Sequence, residues 1–338
     1  MKISIIGFGT VGKNLARTLD RKRSFLKEKF NFDFRVVGVF KSDGAFLDSE
    51  GLDLTNLSYS SDYKQLPSWK PDLTAEEAIQ RVDCDLVVEV SPTNIETGEP
   101  GLSHIRTALK SSKDVVTANK GPLVIAFKEL SSLSKQYGRL FRYEATVAGA
   151  LPDSEIVREA LQGNQIISLK GILNGTTNYI LTRMTFEAVS FEMALKEAQQ
   201  MGIAEADSSY DVEGVDAASK LVILANSIMG DDVRLSDVKR EGISHVTPEA
   251  IKLAELDGFL IKHIASIENG NLEVAPRLVE KTSPLAVGGT LNVLCFETDL
   301  AGEITLIGRG AGGIETSSAI IGDILNIAKL RGYIKRID

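Results

Sequence analysis

Residues 2–12, KISIIGFGTVG, are the stretch that decides the fold of this chain. Lys2–Ile6 is a compact apolar run typical of a strand, and glycines follow at positions 7, 9 and 12. From Lys13 to about Lys29, leucine and alanine recur at helical spacing. A strand, a glycine turn and a helix in this order let the backbone approach a pyrophosphate at a helix N-terminus. We therefore predict a dinucleotide site, with a purely structural turn as the alternative, at Gly7, Phe8, Gly9, Thr10, Val11 and Gly12.

The alternation of strand and helix continues to about residue 145. It predicts a parallel sheet with helices on its faces, which is the α/β, Rossmann-type arrangement. The further elements predicted are strands Phe34–Phe40 and Leu86–Val90, a helix Leu102–Lys110 before a strand Asp114–Thr117, and a helix Ala126–Tyr137 before a strand Arg139–Ala145.

Beyond Pro152, strand runs follow helices, which is typical of a separate α+β domain with a mixed sheet. Helices are predicted over Asp153–Leu161, Thr177–Thr185, Phe191–Gln200 and Ala217–Asn226. Strands are predicted over Ile166–Leu173, Gly258–Glu268, Leu272–Leu278, Pro284–Val287, Val293–Thr298 and Glu303–Ile307.

A final helix, Thr316–Leu330, follows a second glycine cluster at 308–313 and is predicted to return to the first domain. The prediction is a dinucleotide-binding domain over residues 1–145, joined by the C-terminal helix 313–338, and a substrate-binding domain over 146–312. Because the chain would cross between the domains twice, we expect ligands to bind in a cleft there.

Composition restricts the compartment and the partners. The chain has 338 residues, 43% of them hydrophobic and 25% charged, which is enough for two globular domains. Its net charge of −8 argues against nucleic acid or an anionic membrane as a partner, and no apolar run has transmembrane length. The two distant cysteines, Cys84 and Cys295, suggest neither a disulfide framework nor a zinc site. We expect a cytoplasmic protein.

The end of the second strand bears on which dinucleotide binds. A basic residue there can receive the 2′-phosphate of NADP, whereas an acid bonds the ribose of NAD. Lys41 with Ser42 favours NADP, although Asp43 keeps NAD possible, and a solvated loop lysine is the alternative. Further cofactor contacts are predicted at the carboxyl edge of the sheet, directly after the third strand, at Ser91, Pro92 and Thr93.

Two lysines are candidates for proton chemistry. Lys220 stands four residues after Asp216 in an apolar segment, so both share one face of a helix. The two form either an ordinary surface ion pair or a pair in a pocket, where the proton of the lysine is available. Lys120 follows a strand at the ligand-binding edge, so we expect it near the nicotinamide, where the two lysines would converge. The alternative is that Lys120 merely neutralises a helix C-terminus or a carboxylate.

Acidic residues and carbonyl groups suggest two further sites. Glu205 lies among the acids that precede Lys220, and this negative charge would suit a substrate with an ammonium group. In the segment 144–152, EATVAGALP, the carboxylate of Glu144 and backbone carbonyls offer oxygen ligands for a monovalent or divalent cation. A simple hinge is the alternative for this segment.

Together these segments resemble homoserine dehydrogenases, in the short form without a C-terminal regulatory domain. The resemblance covers nearly the whole chain. The motifs that carry it are GFGTVG (7–12), SPTNIETGEPG (91–101), VVTANKGPL (115–123), EATVAGALP (144–152), GILNGTTNYIL (171–181), the run 202–220 and GRGAGG (308–313).

The resemblance implies NAD(P)H-dependent, reversible reduction of L-aspartate 4-semialdehyde to L-homoserine, in the branch that leads to threonine, isoleucine and methionine. It implies that Glu205 and Asp216 hold the amino and hydroxyl end of the substrate, that Lys220 donates the proton, and that Lys120 lies near the nicotinamide and substrate. It also implies a homodimer formed through strands of the second domain. The remaining implied sites are Gly310 and Gly312 for the cofactor, and the Glu144 side chain with the carbonyls of Val147, Gly149 and Leu151 for a monovalent cation such as sodium.

Two other functions remain as alternatives. A phosphorylating semialdehyde dehydrogenase would also have a dinucleotide domain, but it needs a cysteine nucleophile. A non-catalytic NADP-binding sensor would use the acids and lysines of residues 205–220 only as an interface.

Overall fold

In a computed structural model of the chain, residues 1–60 and 63–334 are described and fold into two compact units. The first unit contains the described residues up to Thr146 and those from Gly312 onward, and the second unit is Val147–Ala311. The last four residues of the predicted helix 313–338 lie outside the described residues. No helix in the described part is both long and apolar enough to cross a membrane.

The first unit is built on a seven-stranded, mostly parallel sheet. Its strands are β1 (Lys2–Ile6), β2 (Arg35–Lys41), β3 (Gly44–Leu47), β4 (Trp69–Pro71), β5 (Leu86–Glu89), β6 (Asp114–Thr117) and β7 (Phe141–Arg142). Its helices up to Thr146 are α1 (Thr10–Phe30), α2 (Leu54–Tyr59), α3 (Ala75–Arg81), α4 (Gly101–Lys110) and α5 (Lys120–Gln136).

The order of the strands places a ligand crevice beside β1. The sheet runs β4-β3-β2-β1-β5-β6-β7, and β1 pairs in parallel with both β2 and β5. The chain thus continues on one side of β1 and later on the other, and ligands bind outside the carboxyl ends of the strands at such a switch point. The Rossmann-type α/β prediction for this part of the chain is confirmed.

Three details of the first unit differ from the prediction. Strands β3 and β4 add an antiparallel edge that the sequence pattern did not reveal. Helix α5 begins at Lys120 and not at Ala126, because Pro122 falls in its first turn, where the missing N–H is not needed. The strand predicted over Arg139–Ala145 is reduced to Phe141–Arg142, since a 3₁₀ turn follows at Glu144–Thr146.

The second unit packs helices against a six-stranded sheet. Its strands are β8 (Ile166–Ile172), β9 (Val238–Arg240), β10 (Phe259–Glu268), β11 (Asn271–Glu280), β12 (Leu291–Thr298) and β13 (Gly302–Arg309). Its helices are α6 (Asp153–Glu155), continued by a π-helical turn, α7 (Gly175–Glu187), α8 (Phe191–Gln200), α9 (Ser209–Val212), α10 (Val215–Leu224) and α11 (Pro248–Leu256).

The sheet of the second unit is mixed, as predicted. Its order is β13-β12-β8-β10-β11-β9, and all neighbours are antiparallel except β11 and β9. The strand predicted at Pro284–Val287 is wrong. These residues form a loop whose Leu285, Ala286 and Val287 pack on a buried cluster that includes Ile172 and Val293, so their apolar character reflects packing outside a strand.

The last helix of the described chain, α12 (Gly313–Leu330), belongs to the first unit. Its Ile320, Ile324 and Ile327 are fully buried in the same cluster as Ile5 of β1 and Leu15 of α1. This spacing of three and four residues puts one apolar face of α12 on the core. The helix therefore completes the hydrophobic core that begins with the first strand.

A polar row on α7 fixes this helix within the second unit. Asn178 and Thr182 follow each other at a helical spacing of four, and the ammonium of Lys262 in β10 donates to both, at 3.0 and 3.4 Å. The Asn178 amide also donates to the carbonyl of Leu291, and the Thr182 hydroxyl accepts from the amide of Gly289. Burial lowers the pKa of Lys262 to about 8.

This buried lysine should make the free energy of unfolding depend on pH in the alkaline range. The unfolded chain keeps the proton up to the ordinary pKa near 10.5, whereas the folded chain releases it near 8. Stability should therefore rise with pH through this window. Relative to Lys262→Met, the free energy of unfolding of the native chain should increase by about 2 kcal/mol between about pH 7 and 9.5, as measured by urea unfolding. The exposed control Lys239→Met should keep the pH dependence of the native chain. If Lys262→Met and Lys239→Met had the same change in the free energy of unfolding between these pH values, the prediction would be contradicted.

Candidate active site

A cleft of about 660 Å³ opens at the carboxyl edge of the first unit's sheet. It is lined by the glycine turn after β1, by the end of β2 and by the loop after β5, which is the place where an open α/β sheet binds a dinucleotide. Of the predicted cofactor residues, those that line the cleft are Gly7, Phe8, Gly9, Thr10, Val11, Lys41, Ser91 and Pro92.

Two glycines of this turn, Gly7 and Gly12, are required by close backbone contacts. Gly7 has φ +99°, and a Cβ there would lie 2.4 Å from the carbonyl oxygen of Val90. A Cβ on Gly12 would lie 2.1 Å from the carbonyl oxygen of Gly7, so Gly12 packs the helix onto the turn and does not line the cleft. Around Gly9 there is open space. The turn thus offers a phosphate group an open approach to the backbone at Gly9, directly before the N-terminus of α1.

At the end of β2, Lys41 borders the cleft, and the nearby acid, Asp43, is bound by other side chains. The ammonium of Lys41 lies 4.2 Å from the centre of the Tyr63 ring, a cation–π contact. The carboxylate of Asp43 accepts from Lys64 at 2.9 Å and from the Tyr63 hydroxyl at 3.0 Å. The hydrogen bond from Lys64 lowers the pKa of Asp43. Lys41 and Ser42 line the cleft, so the base and not the acid borders the cofactor site.

The loop after β5 is tied to the start of α5. The Asn119 amide donates to the carbonyl oxygens of Ser91 and Pro92, at 3.2 and 3.3 Å. Thr93, by contrast, is exposed and does not line the cleft. Lys120 is the first residue of α5, so it does not neutralise the C-terminus of that helix. Its position beside Asn119 places it at the ligand-binding edge of the first unit.

Asp216 and Lys220 form a buried ion pair in the second unit. Their side chains are one turn apart on α10, and Lys220 Nζ lies 2.8 Å from Asp216 Oδ2. The lysine also donates to the carbonyl oxygen of Leu173, at 2.7 Å. Both residues are less than a tenth exposed, so the interpretation as a surface pair is wrong. A buried ammonium needs such partners, because an uncompensated charge inside a protein is strongly unfavourable.

Asn174, a residue of the motif GILNGTTNYIL, connects α7 to the acids near Lys220. Its side-chain oxygen accepts from the amide of Thr177 and caps α7, which fixes the orientation of the amide group. Its nitrogen then donates to Asp211 at 2.6 Å and to Asp216 at 2.9 Å. One amide thus holds two carboxylates together. An Asn directly before a helical segment is an N-cap signal, and that signal could have marked this residue.

Asp211 is the second acid of this group. It is partly buried in α9, and burial raises the pKa of its carboxyl group, an effect that the hydrogen bond from Asn174 partly offsets. Asp211, Asp216, Lys220 and Asn174 therefore form one polar cluster in the interior of the second unit, which we call the acid–lysine cluster. It combines a proton-bearing nitrogen with carboxylates that can attract an ammonium group.

The remaining predicted site residues are more scattered. Glu205 is exposed, whereas Asn174, Asp216 and Lys220 of the acid–lysine cluster are buried. A Cβ on Gly310 would lie 2.0 Å from the Asn292 amide nitrogen, and a Cβ on Gly149 would lie 2.6 Å from the carbonyl of Gly310, so these two glycines serve tight packing in the second unit. Gly312 precedes α12 with φ +134°.

The predicted cation ligands come from both units. Glu144, at 3% exposure, lies in the first unit, and its backbone amide donates to Asp323. Val147, Gly149 and Leu151 begin the second unit, and the Leu151 carbonyl accepts from the amide of Asp153. Among the described residues no group of three or more His, Cys, Asp or Glu side chains could hold a metal ion.

Neither cysteine has the surroundings of a catalytic nucleophile. Cys84 and Cys295 are buried and unpaired, and burial raises the pKa of both thiols. The thiolate is the nucleophilic form, and reactive cysteines need its pKa lowered. A thioester mechanism, as in a phosphorylating semialdehyde dehydrogenase, is therefore not supported by either residue.

Comparison with known proteins gives one family for both parts of the chain. The family described as homoserine dehydrogenase, NAD binding domain, matches residues 7–144, and the family described as homoserine dehydrogenase matches residues 152–325. The homoserine dehydrogenase of Methanocaldococcus jannaschii is 50% identical over 97% of this chain and 98% of its own length. An NAD(+)-dependent homoserine dehydrogenase of Pseudomonas canavaninivorans is 35% identical, covering 96% of each chain.

A solved structure extends the match to the fold. The crystal structure of a putative homoserine dehydrogenase from Archaeoglobus fulgidus has a TM-score of 0.89 and 42% identity, over 99% of this chain and 100% of that one. The match to the NAD binding domain lies within the first unit, and the second match covers most of the second unit and continues into α12 of the first. The chain belongs to the homoserine dehydrogenase family.

Proposed function

We propose that the chain catalyses the reversible reduction of L-aspartate 4-semialdehyde to L-homoserine with NADP(H), using the acid–lysine cluster to bind and protonate the substrate. The observation that carries the residue assignment is the buried contact of Lys220 with Asp216, held by Asn174. When bound, the nicotinamide supplies the hydride for reduction and accepts it in the reverse direction.

Lys220 is the proposed proton donor. Reduction of an aldehyde leaves negative charge on its oxygen, and a nearby ammonium both stabilises that charge and delivers the proton. The carboxylate of Asp216 favours the ammonium form of Lys220, and the Leu173 carbonyl fixes its direction. Lys120, at the start of α5, is proposed as a second cation near the substrate oxygen.

Replacement of Lys220 tests this role. Lys220→Ala should lower kcat by about 100- to 10,000-fold, because general acid catalysis contributes this much. The affinity for NADPH, measured by fluorescence titration, should stay within about twofold, since the cofactor cleft lies in the first unit. The matched control is Lys196→Ala, a change at an exposed lysine of α8. Near-normal turnover of Lys220→Ala would refute the assignment.

Asp211, with Glu205 as a further acid, is proposed to attract the substrate's ammonium group. The partly buried carboxylate of Asp211 lies next to Asp216 through the shared Asn174 amide. Two carboxylates held this close repel each other, and a bound ammonium group relieves that repulsion. The non-catalytic sensor is less well supported, since an interface would not require an acid–lysine cluster in the protein interior.

Asp211→Asn keeps the shape of the side chain and removes its charge. KM for homoserine should rise about 10- to 100-fold, because a charge-assisted hydrogen bond contributes roughly 1.5–3 kcal/mol, while kcat changes much less. The measurement is initial rate against homoserine concentration at saturating cofactor, with the exposed Asp207→Asn as control. An unchanged KM would remove Asp211 from the binding site.

NADP is the proposed cofactor, with NAD as the weaker alternative. The support is that Lys41 and Ser42 border the cleft, while Asp43 is engaged by Lys64 and Tyr63. Lys41→Ala should lower kcat/KM for NADP about 10-fold or more and leave kcat/KM for NAD nearly unchanged, because only NADP carries the 2′-phosphate. The two kcat/KM values are measured from initial rates with each cofactor, and Lys70→Ala, at an exposed lysine, is the control. Equal losses with NAD and NADP would contradict it.

Three further parts of the proposal follow the family resemblance. A monovalent cation such as sodium would bind Glu144 and the carbonyls of Val147, Gly149 and Leu151, a donor set made only of oxygen atoms. A homodimer would form through the second unit's sheet. The two unpaired cysteines fit a cytoplasmic location, where thiols remain reduced.

A further inference from the structure

A carboxylate with no solvent exposure lies directly before two residues that line the cofactor cleft, Val90 and Ser91. Glu89 is the last residue of β5 and is 0% exposed. Buried glutamates are rare unless their oxygens are hydrogen-bonded, because an ionised carboxylate loses its hydration inside a protein. The proton transfer and substrate binding proposed above do not use this residue. Its contacts must therefore explain why it is there.

Glu89 belongs to a closed ring of hydrogen bonds. Its Oε1 accepts from the amide of Ser91 at 3.0 Å and also from the Ser91 hydroxyl. The Thr117 hydroxyl shares its proton between Glu89 Oε2, at 3.2 Å, and the Glu89 carbonyl oxygen, at 3.1 Å, and it accepts from the amide of Asn119 at 3.0 Å. The Asn119 side chain donates back to the carbonyl of Ser91, which closes the ring. His104 Nδ1 approaches Oε1 at 3.5 Å.

The backbone is packed closely against this ring. A Cβ on Gly101, the first residue of α4, would lie 2.6 Å from the Asn119 amide nitrogen and 3.1 Å from Glu89 Oε2. A Cβ on Gly121, in the first turn of α5, would lie 2.2 Å from the carbonyl oxygen of Asn94. Two helix starts are thus packed directly against the ring and the loop after β5.

The ring joins two segments that border the ligand edge. Ser91 and Pro92 line the cofactor cleft, and Asn119 directly precedes Lys120. We propose that Glu89 is a positioning residue of the reaction, which holds the loop after β5 and the start of α5 in one register through Ser91, Thr117 and Asn119. This inference rests on the cofactor and Lys120 assignments proposed above. Glu89 acts through these neighbours and does not itself contact the substrate.

A carboxylate is suited to this task because it accepts from several donors at once. Its oxygens have about four lone-pair sites, enough for the amide and hydroxyl of Ser91 and the hydroxyl of Thr117. Hydrogen bonds to an ionised acceptor are roughly twice as strong as neutral ones. The amide in Glu89→Gln keeps the shape and one acceptor oxygen but loses the charge. Glu89→Ala leaves the amide and hydroxyl of Ser91 without this acceptor.

The two variants give a graded test. Glu89→Ala should lower kcat/KM about 100-fold, because a displacement of roughly 1 Å in a positioning group has an effect of this size. Glu89→Gln should lower it about 5- to 10-fold, through the loss of charge assistance. NADPH binding, measured by fluorescence, should weaken in the same order. The matched controls are Glu96→Ala and Glu96→Gln, the same changes at an exposed glutamate of the same loop, and these should leave both quantities unchanged.

A double-mutant cycle separates positioning from a general loss of stability. If Glu89 acts through the ring, Glu89→Ala should lower kcat/KM by less than about threefold in a chain that already carries Asn119→Ala. Additive effects, or wild-type kcat/KM and NADPH affinity in Glu89→Gln, would overturn the proposal. If Glu89→Ala does not fold, Glu89→Gln carries the same cycle. A native chain with no homoserine turnover would instead refute the proposed function.

Discussion

The first unit depends on one constraint, the lack of space for any side chain at Gly7. The end of β1 must pass so close to Val90 that a Cβ would fall within 2.4 Å of its carbonyl oxygen. This contact brings the glycine turn and the loop after β5 together at the point where the strand order reverses. The cofactor cleft, its lysine at the end of β2 and the ring around Glu89 are all arranged around that point.

In the second unit the main constraint is electrostatic, because the carboxylates of Asp211 and Asp216 and the ammonium of Lys220 are partly or fully removed from water. Burial of each charge is unfavourable, and the arrangement is stable only because every charge has a partner of suitable direction. Asn174 has a central part, since its amide caps α7 with one end and joins Asp211 and Asp216 with the other. The position of a helix and the geometry of the acids are therefore set by the same side chain.

Sequence reasoning succeeded where one local pattern determines the structure. The strand, turn and helix at the N-terminus, and the spacing of Asp216 and Lys220 on one helix face, follow from the periods of regular structure. It failed where long-range packing decides. The apolar Pro284–Val287 covers a core as a loop, and the edge strands β3 and β4 have too few residues to show a period.

The burial of the Asp216–Lys220 ion pair could not be predicted from the sequence pattern. The spacing shows that the two residues share a helix face, but it does not show what packs against that face. Asn174 was quoted as part of a motif, yet its contact with two acids depends on residues 37 and 42 positions further along the chain. The same is true of Glu89, whose partners Ser91 and Thr117 meet only when β5 and β6 pair. Local sequence signals identify helices and strands, whereas the partners of their side chains depend on tertiary contacts.

The place of α12 has a consequence for the order of events during synthesis. Ile320, Ile324 and Ile327 complete a core that begins with Ile5, yet the ribosome makes all of residues 147–312 between Thr146 and this helix. Until then, the nascent dinucleotide unit exposes the apolar surface that α12 later covers. The second unit, whose segments are contiguous, can fold first. The part of the enzyme that is translated earliest is thus the part that matures last.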